Sequence, residues 1–581
     1  MARARERMPG VEARAGKFPG PSLIPALQAI QERVGWLPRE ELVTLARDVR
    51  RPLYEIEGLV SFYPHFRTRP PVKVEVHACH DLTCWLQGAD RRIAALRDRY
   101  GRDADVEVTE VSCIGRCDVA PAVAVNENPV AASADLDAVI GAARSGTASR
   151  QGQGPVTKER GLKPAGGSGG SPPRANTSWP NDPYAAGEER YRVLRAVLSG
   201  DLDAERVTAA LKDAGLRGMG GAGFPAGRKW ELVAAQAAQP KYTICNADES
   251  EPGTFKDRQI LAEQPHLVLE GLLLGMVAAG AGEGWVFIRH EYGPEEAAIR
   301  REIEALRAAG LVGPDAGGSG RRLSVEVFTS PGGYILGEES ALIECMEGHR
   351  GEPRNKPPFP GVYGLWGKPT LMNSVETLAH VPVIAGRGAQ WWKAQGVNGG
   401  TGLKFFAVSG HVERPGVYCV PMGSTARALL ELAGGVSGGR ALGAIQPGGA
   451  SSNFLGPEGL DVPLDFDAVA KAGSMLGSGA VVVLAEGTDL LAAAVNVLRF
   501  FRDVSCGKCV PCRVGSTKAH QILTDLLTGG GGAGEVDDAV WRLEETMRRT
   551  SICGLGQVAL GPVSSVLKLA ASEDNWSRDE S

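Results

Sequence analysis

The chain lacks any apolar run long enough to cross a bilayer. Its longest, GLLLGMVAAGAG at 271–282, has about 12 residues where about 20 are needed, and it reads as a buried helix, with no direct membrane insertion. It also lacks an excess of positive charge: 63 Lys and Arg face 68 Asp and Glu, for a net −5. No global basic field would therefore attract nucleic acid or anionic lipid. The Arg-rich start, MARARERMPGVEARAGK, has no apolar segment of the secretory kind, and Glu6 and Glu12 with no serine before Ser22 argue against a transit peptide. A disordered tail over 1–21 and a cytoplasmic location are expected. Without a secretory signal, the eleven cysteines point to metal or redox chemistry more than to disulfides. No period of about 20–50 residues repeats, which excludes a solenoid.

Glycine is what the chain has in abundance, 77 in 581 residues, well above the average of about 7%. The length predicts several domains, and the pattern divides them. Apolar residues at helical spacing over 22–70, punctuated by Pro38 and Pro52, predict a small helical bundle. Strand-like VKVEVHACH, VEVTEVSCIG and AVAVN, with one helix between the first two, predict an α/β module over 71–143. Residues 144–182 are rich in Gly, Ser and Pro with few large apolar side chains and read as a linker. A larger α/β block follows over 183–402, then short strands around one helix over 403–487, suggesting a β-grasp-like insert, and a helical region over 488–581.

Eight cysteines fall into two sets; Cys245, Cys345 and Cys419 stand alone and read as structural. SCGKCVPC at 505–512 with SICGLG at 551–556 gives Cys506, Cys509 and Cys512 plus a remote Cys553. Three thiolates at i, i+3 and i+6 wrap one corner of a cubane and the fourth closes it, which favours [4Fe–4S] over structural zinc, since zinc draws two separated CxxC pairs. CHDLTC and CIGRC give Cys79, Cys84, Cys113 and Cys117, each pair just after a strand. Two loops from one sheet edge can converge on two irons or on zinc, and spacing leaves both open.

GLRGMGGAGFPAGRKW at 215–230 contains GxGxxG at Gly218, Gly220 and Gly223. A dinucleotide fingerprint needs a strand before it. RVTAALKDAGL has helical periodicity instead, so the usual meaning does not apply. The loop keeps the chemistry of an anion cradle: glycines expose backbone N–H groups, and Arg217, Arg228 and Lys229 add positive charge. KYTICNADESEPGTFKDR at 241–258 then runs a strand into a polar loop, placing Asn246, Asp248, Glu249 and Glu251 to meet hydroxyls and a ring edge.

With YILGEESALIECMEGHRGEPRNKPPFP and GLWGKPTLMNSVETL added, the ordered motifs from about 185 to 570 resemble the flavin-bearing, NADH-oxidising subunit of respiratory complex I. The diaphorase subunits of NAD-linked formate dehydrogenases and NAD-reducing hydrogenases belong to the same family. Residues 22–143 resemble that family's thioredoxin-like [2Fe–2S] partner, which raises [2Fe–2S] above zinc and implies a fusion of two subunits. The implied architecture is multidomain α/β. It comprises a helical bundle, a thioredoxin-like domain, a Rossmann-like FMN/NADH domain, a β-grasp (SLBB-like) insert and a C-terminal four-helix [4Fe–4S] domain.

The resemblance further implies that FMN is cradled by Gly218, Gly220, Gly221, Lys229, Asn246, Asp248, Glu249 and Glu251. Tyr334, Gly337, Glu338, Glu339, Asn373 and Thr377 would close that site. NADH would lie against Phe224, Glu251, Lys356 and Phe359, with Glu251 near the nicotinamide and no side chain serving as acid or base. Met219 and Ser374 depart from the common pattern of arginine and asparagine. The implied reaction is hydride exchange between NAD(H) and FMN, then one-electron transfer to the clusters. The fused N-terminal domain with all four cysteines, GAQWWKAQG at 388–396 and an end soon after the last cluster most resemble the β subunit of soluble, molybdenum- or tungsten-dependent formate dehydrogenases. Its partner would be an iron–sulfur and molybdenum- or tungsten-pterin catalytic subunit. The alternatives are a hydrogenase diaphorase, complex I itself, or, from another class, a zinc-stabilised assembly scaffold.

Overall fold

The structure, a computed structural model, describes residues 22–131, 134–146, 179–185, 187–529 and 533–579. The tail expected over 1–21 and most of the linker expected over 144–182 lie outside them. Three helices lead in: α1 (Leu23–Val34), α2 (Arg39–Asp48) and α3 (Leu53–Val60). Ser22 starts α1 by accepting the Ile24 N–H at 3.3 Å, and Gly35 ends it in the left-handed region at φ 89°. Pro38 and Pro52 stand immediately before α2 and α3, as their punctuating role predicts.

Next come β1 (Val74–Cys79), β2 (Val106–Val111), β3 (Val123–Val125) and β4 (Asn128–Pro129), in the order β2-β1-β3-β4. β1 and β2 run parallel with Cys79 opposite Val111. Their C-terminal ends therefore deliver the two cysteine loops side by side.

The central block begins with α4 (Ala204–Ala214), which leads directly into the glycine loop. It continues through β5 (Tyr242–Ala247), α5 (Lys256–Glu263), α6 (Pro265–Ala279), β6 (Glu283–Arg289), β7 (Ser324–Ser330), α7 (Glu339–Met346), β8 (Thr370–Ser374) and α8 (Val375–Arg387). The sheet is parallel throughout in the order β7-β6-β5-β8. The chain winds outward from β5 and then returns to its other side, so the crevice at the C-terminal ends of β5 and β8 is the switch point where such sheets bind ligands.

The apolar run at 271–282 forms most of α6, buried on nearly every face, and no single described helix is long and apolar enough to cross a membrane. A side chain on Gly271 would run into the carbonyl oxygen of Leu378 on α8. Glycine there lets the two helices pack closely.

One carboxylate sits in this apolar helix. Glu270 is fully buried and accepts from Tyr184 O–H at 2.8 Å and Leu194 N–H at 3.0 Å. Burial outweighs these donors and pushes its carboxyl up to about 7. A raised carboxyl stabilises the fold fully below its unfolded value, and that contribution is lost as pH rises through the folded value. Between about pH 5 and about pH 8 the cost of ionising Glu270 grows to about 3 kcal/mol. The melting midpoint of Glu270→Gln should therefore rise relative to wild type across that interval; a difference flat in pH would contradict this.

The β-grasp expectation is met by β9 (Leu403–Gly410), β10 (Gly416–Pro421), β11 (Leu442–Gln446) and β12 (Ala480–Ala485) in the order β10-β9-β12-β11. Its central pair is parallel and its outer pairs antiparallel. Four long helices close the chain: α9 (Leu490–Asp503), α10 (Val510–Leu527), α11 (Ala533–Thr550) and α12 (Gly561–Asp579).

Candidate functional site

A cavity of about 350 Å³ opens at the switch point, within the size range of cofactor sites. Its wall includes Gly220, Gly221, Asn246, Asp248, Glu249, Glu251, Tyr334, Gly337 and Glu338, all read from the motifs. Gly221 is held at φ 126°, where a side chain is strained, and a Cβ on Gly220 would come within 3.0 Å of Ser374 Cβ. The glycine loop therefore leaves room that other residues would fill.

Gly218, Lys229, Glu339, Asn373 and Thr377 do not line this cavity. The Gly218 N–H donates to Phe224 O at 2.8 Å, closing the loop on itself. Lys229 Nζ donates to Met372 O at 3.2 Å and lies 3.7 Å from Glu339. Asn373 accepts from Trp230 Nε1 at 2.9 Å, and Thr377 Oγ1 accepts the Met219 N–H at 2.8 Å. These contacts tie the glycine loop and the helix after it to β8 and α8, and the Lys229 and Glu339 side chains remain 30% and 28% exposed. Met219 is buried there as an apolar plug, whereas Ser374 is part of the wall itself. Arg217, expected to add positive charge to the cradle, turns away to Asp467 at 3.1 Å and stacks over Phe466.

Phe224, Lys356 and Phe359 stand outside the cavity wall. Phe224 and Phe359 are 42% and 58% exposed, free to meet a planar ligand. Lys356 Nζ pairs with Glu338, a wall residue, at 2.6 Å.

The motifs did not reveal how much of the wall comes from elsewhere. Ser451, Met475, Gly477 and Ser478 arrive from the β-grasp unit, and Gly554, Leu555 and Val558 from the cysteine-bearing helices. Glu251 accepts the Ser451 N–H at 2.8 Å, and Tyr334 O–H meets Ser451 Oγ at 3.1 Å. Lys256 also lines the cavity, and behind it lies a buried charge cluster. Lys256 Nζ and Lys404 Nζ both lie 2.9 Å from Glu376 Oε2, while Glu376 Oε1 accepts the Phe405 N–H at 2.8 Å. Burial disfavours the charged Glu376, yet Lys256 and Lys404 overcome it and hold the carboxyl well below the usual range.

Burial pushes Asp248 up to about 6 and Glu249 up to about 7, the latter helped by Asp257. Negative charge on this wall is thus costlier than in water.

The C-terminal cysteine set adjoins this cavity through Gly554 and Leu555, the N-terminal set lies behind its wall, and all eight are free thiols. Cys113 Sγ and Cys117 Sγ lie 3.5 Å apart, and the Gly115 and Ala122 N–H groups point at Cys113 Sγ and Cys84 Sγ, each at 3.4 Å. Backbone N–H groups aimed at sulfur suit thiolates that hold iron. The Cys113–Cys117 loop is clamped by the central block: Arg289 Nη2 donates to Cys113 O at 2.7 Å and Arg258 Nη1 to Gly115 O at 2.8 Å. Arg289 also donates to the Glu249 carbonyl, and Tyr292 O–H donates to the Glu249 carboxylate at 2.9 Å. One layer of side chains therefore separates the cavity wall from the N-terminal cysteines.

At the other end, Cys506 and Cys509 precede α10, Cys512 lies in its first turn, and Cys553 opens the short helix Gly554–Val558. Gly554 and Leu555, next to Cys553, are cavity wall. A Cβ on Gly556 would come within 2.9 Å of Cys512 Cβ, so glycine lets the remote cysteine approach the triple.

Known families match each part of this arrangement. Residues 211–383 match the Nuo51 FMN-binding domain, 15–141 the thioredoxin-like [2Fe-2S] ferredoxin, 492–573 the NADH-ubiquinone oxidoreductase-F iron-sulfur binding region, and 405–451 the SLBB domain. The F subunit of the NADH-quinone oxidoreductase of Mycobacterium bovis is 41% identical over 385 residues, 65% of this chain and 86% of that relative. HndC of the NADP-reducing hydrogenase of Solidesulfovibrio fructosivorans is 40% identical over 384 residues, 66% of this chain and 78% of its own. A chain of the crystal structure of NAD+-reducing [NiFe]-hydrogenase in the air-oxidized state superposes with a TM-score of 0.80 at 31% identity, covering 94% of this chain and 92% of that one.

Proposed function

The chain belongs to the family of NADH-quinone oxidoreductase F subunits and hydrogenase diaphorases, and from that membership we propose that it exchanges electrons between NAD(H) and a partner subunit. It is an NAD-dependent flavin and iron–sulfur oxidoreductase with FMN-binding, [2Fe–2S] and [4Fe–4S] domains. The observation that carries the reading is the cavity at the switch point, whose wall runs from the glycine loop to the residues beside Cys553.

FMN bound there supplies the conversion between a two-electron hydride donor and one-electron iron–sulfur acceptors. The chain's own residues bind, orient and tune. Gly220 and Gly221 leave space for the cofactor, while Asn246, Asp248, Glu249, Glu251, Tyr334, Gly337 and Glu338 offer polar atoms to it. Lys229, Glu339, Asn373, Thr377 and Gly218 hold that wall in shape. Phe224, Lys356 and Phe359 receive the nicotinamide nucleotide, with aromatic faces for stacking and an ammonium for phosphate. Cys79, Cys84, Cys113 and Cys117 hold the two-iron cluster; Cys506, Cys509, Cys512 and Cys553 hold the cubane. No side chain need transfer a proton in the hydride step, so positioning is the protein's main contribution.

For the holoenzyme, the proposal is the β subunit of a cytoplasmic, molybdenum- or tungsten-dependent formate dehydrogenase that reduces NAD⁺ with electrons from formate. The GAQWWKAQG segment and the intact N-terminal cysteine set support it. A second reading, an NAD-reducing hydrogenase diaphorase, is favoured by the near-complete overlap with the hydrogenase chain, N-terminal unit included. Purifying the native complex and assaying NAD⁺ reduction with formate and with hydrogen separates them. Formate-driven reduction is expected; reduction with hydrogen alone would overturn the formate assignment.

A further inference from the structure

The segment 351–364, between α7 and β8, carries half-buried Lys356 and exposed Phe359, with Pro357 and Pro358 exposed between them. Core burial holds Pro353 and Pro360 on either side but not the exposed residues 357–359 between them, so the position of the stretch depends on its anchors, the Lys356–Glu338 pair and those at its base. One anchor is Arg354. Its Nε donates to Glu344 at 2.6 Å, Nη2 to Glu347 at 2.8 Å and Nη1 to Gly364 O at 3.1 Å. Glu344, Glu347 and His349 could otherwise group around a metal ion, and the guanidinium takes that role here.

The second anchor comes from a distant part of the chain. Lys508 lies between Cys506 and Cys509, and its Nζ donates to the carbonyl of buried Pro353 at 2.6 Å. The C-terminal cysteine loop is thereby fastened to the base of the stretch bearing Lys356 and Phe359. We infer that Lys508 is a positioning residue for the nicotinamide nucleotide: by holding Pro353 in place it sets NAD(H) affinity from within the [4Fe–4S] ligand loop, without touching the nucleotide. This rests on the reading that Lys356 and Phe359 receive the nucleotide. It makes nucleotide affinity dependent on the order of the cluster loop.

The test uses the full chain carrying FMN and both clusters, with NAD⁺ as the probe for binding to the oxidised protein by calorimetry. Lys508→Met should raise the dissociation constant for NAD⁺, and the KM for NADH with ferricyanide, about tenfold, the scale of one charge-assisted hydrogen bond. Turnover should stay within about twofold, because the group acts on binding alone. The electron paramagnetic resonance spectrum of the cubane should be unaltered, amide exchange over 351–364 should quicken, and Lys508→Arg should restore affinity. An unchanged dissociation constant with unchanged exchange would overturn the inference. If Lys508→Met loses iron, Lys508→Gln is read by the same criteria. Arg354→Gln, which removes the other anchor, should weaken NAD⁺ binding with the iron content intact. Lys356→Ala separates the two premises. If it leaves NAD⁺ binding unchanged, the nucleotide site itself is misassigned; if it weakens binding while Lys508→Met does not, only the latch fails.

Discussion

Glu376→Ala should lower the unfolding free energy by about 3–5 kcal/mol, the scale for removing one partner of a buried ion pair. Glu376 is fully buried and holds two ammonium groups at once, Lys256 from α5 and Lys404 from β9, each at 2.9 Å. Lys256 retains Asp257 at 2.6 Å when the carboxylate is gone. Lys404 retains only the Ser478 carbonyl at 3.2 Å among its described hydrogen bonds. A buried ammonium without a counter-charge must lose its proton or unfold its surroundings. Because Lys256 lines the cavity and Lys404 belongs to the β-grasp sheet, the damage should reach both units. Denaturation followed by tryptophan fluorescence measures it, and Glu376→Leu combined with Lys404→Met should recover part of the loss. A single variant within about 1 kcal/mol of wild type would show that the cluster contributes no such stability.

Gly221→Val should yield protein without flavin, its FMN affinity lowered by at least about 100-fold, while the iron of both clusters is retained. Gly221 sits at φ 126°, and a β-branched residue there is strained by about 1–3 kcal/mol. A Cβ at this position would meet the Gly477 carbonyl carbon at 3.9 Å, an ordinary contact, and because Gly221 is cavity wall the added methyl groups are expected to take up cavity volume. Strain and lost volume act together. Flavin released by denaturation, and titration of the apoprotein with FMN, give the readout. Flavin at the wild-type level would place the cofactor elsewhere.

Gly221 also shows what is legible in the sequence. GMGGAG follows RVTAALKDAGL, whose helical spacing argues against a dinucleotide fingerprint, and α4 does run straight into the loop. The cysteine sets and the β-grasp insert are legible for similar reasons: short spacings and strand alternation are local signals. The second half of the cavity wall is not. Ser451, Gly477 and Ser478 carry no motif of their own and reach the site only because the β-grasp sheet packs against the central block. Lys256, Glu376 and Lys404 are scattered along the chain, and only the fold makes them neighbours. Motif membership also does not give direction. Asn373 and Thr377 lie in the NSVET element as expected, and the fold shows that the Trp230 indole and the Met219 N–H engage them. Arg217 has the charge of a phosphate ligand, yet Phe466 and Asp467 supply it with closer partners.

If one chain holds a flavin that meets NAD(H) and two iron–sulfur clusters around it, the cofactor content of the anaerobically purified protein must show it, together with its optical response to NADH. The expected result is a yellow-brown protein with one FMN and about six irons per chain, two plus four for the two cluster types, whose flavin absorbance bleaches on adding NADH. A colourless protein that carries zinc and shows no NADH-dependent dye reduction would contradict it.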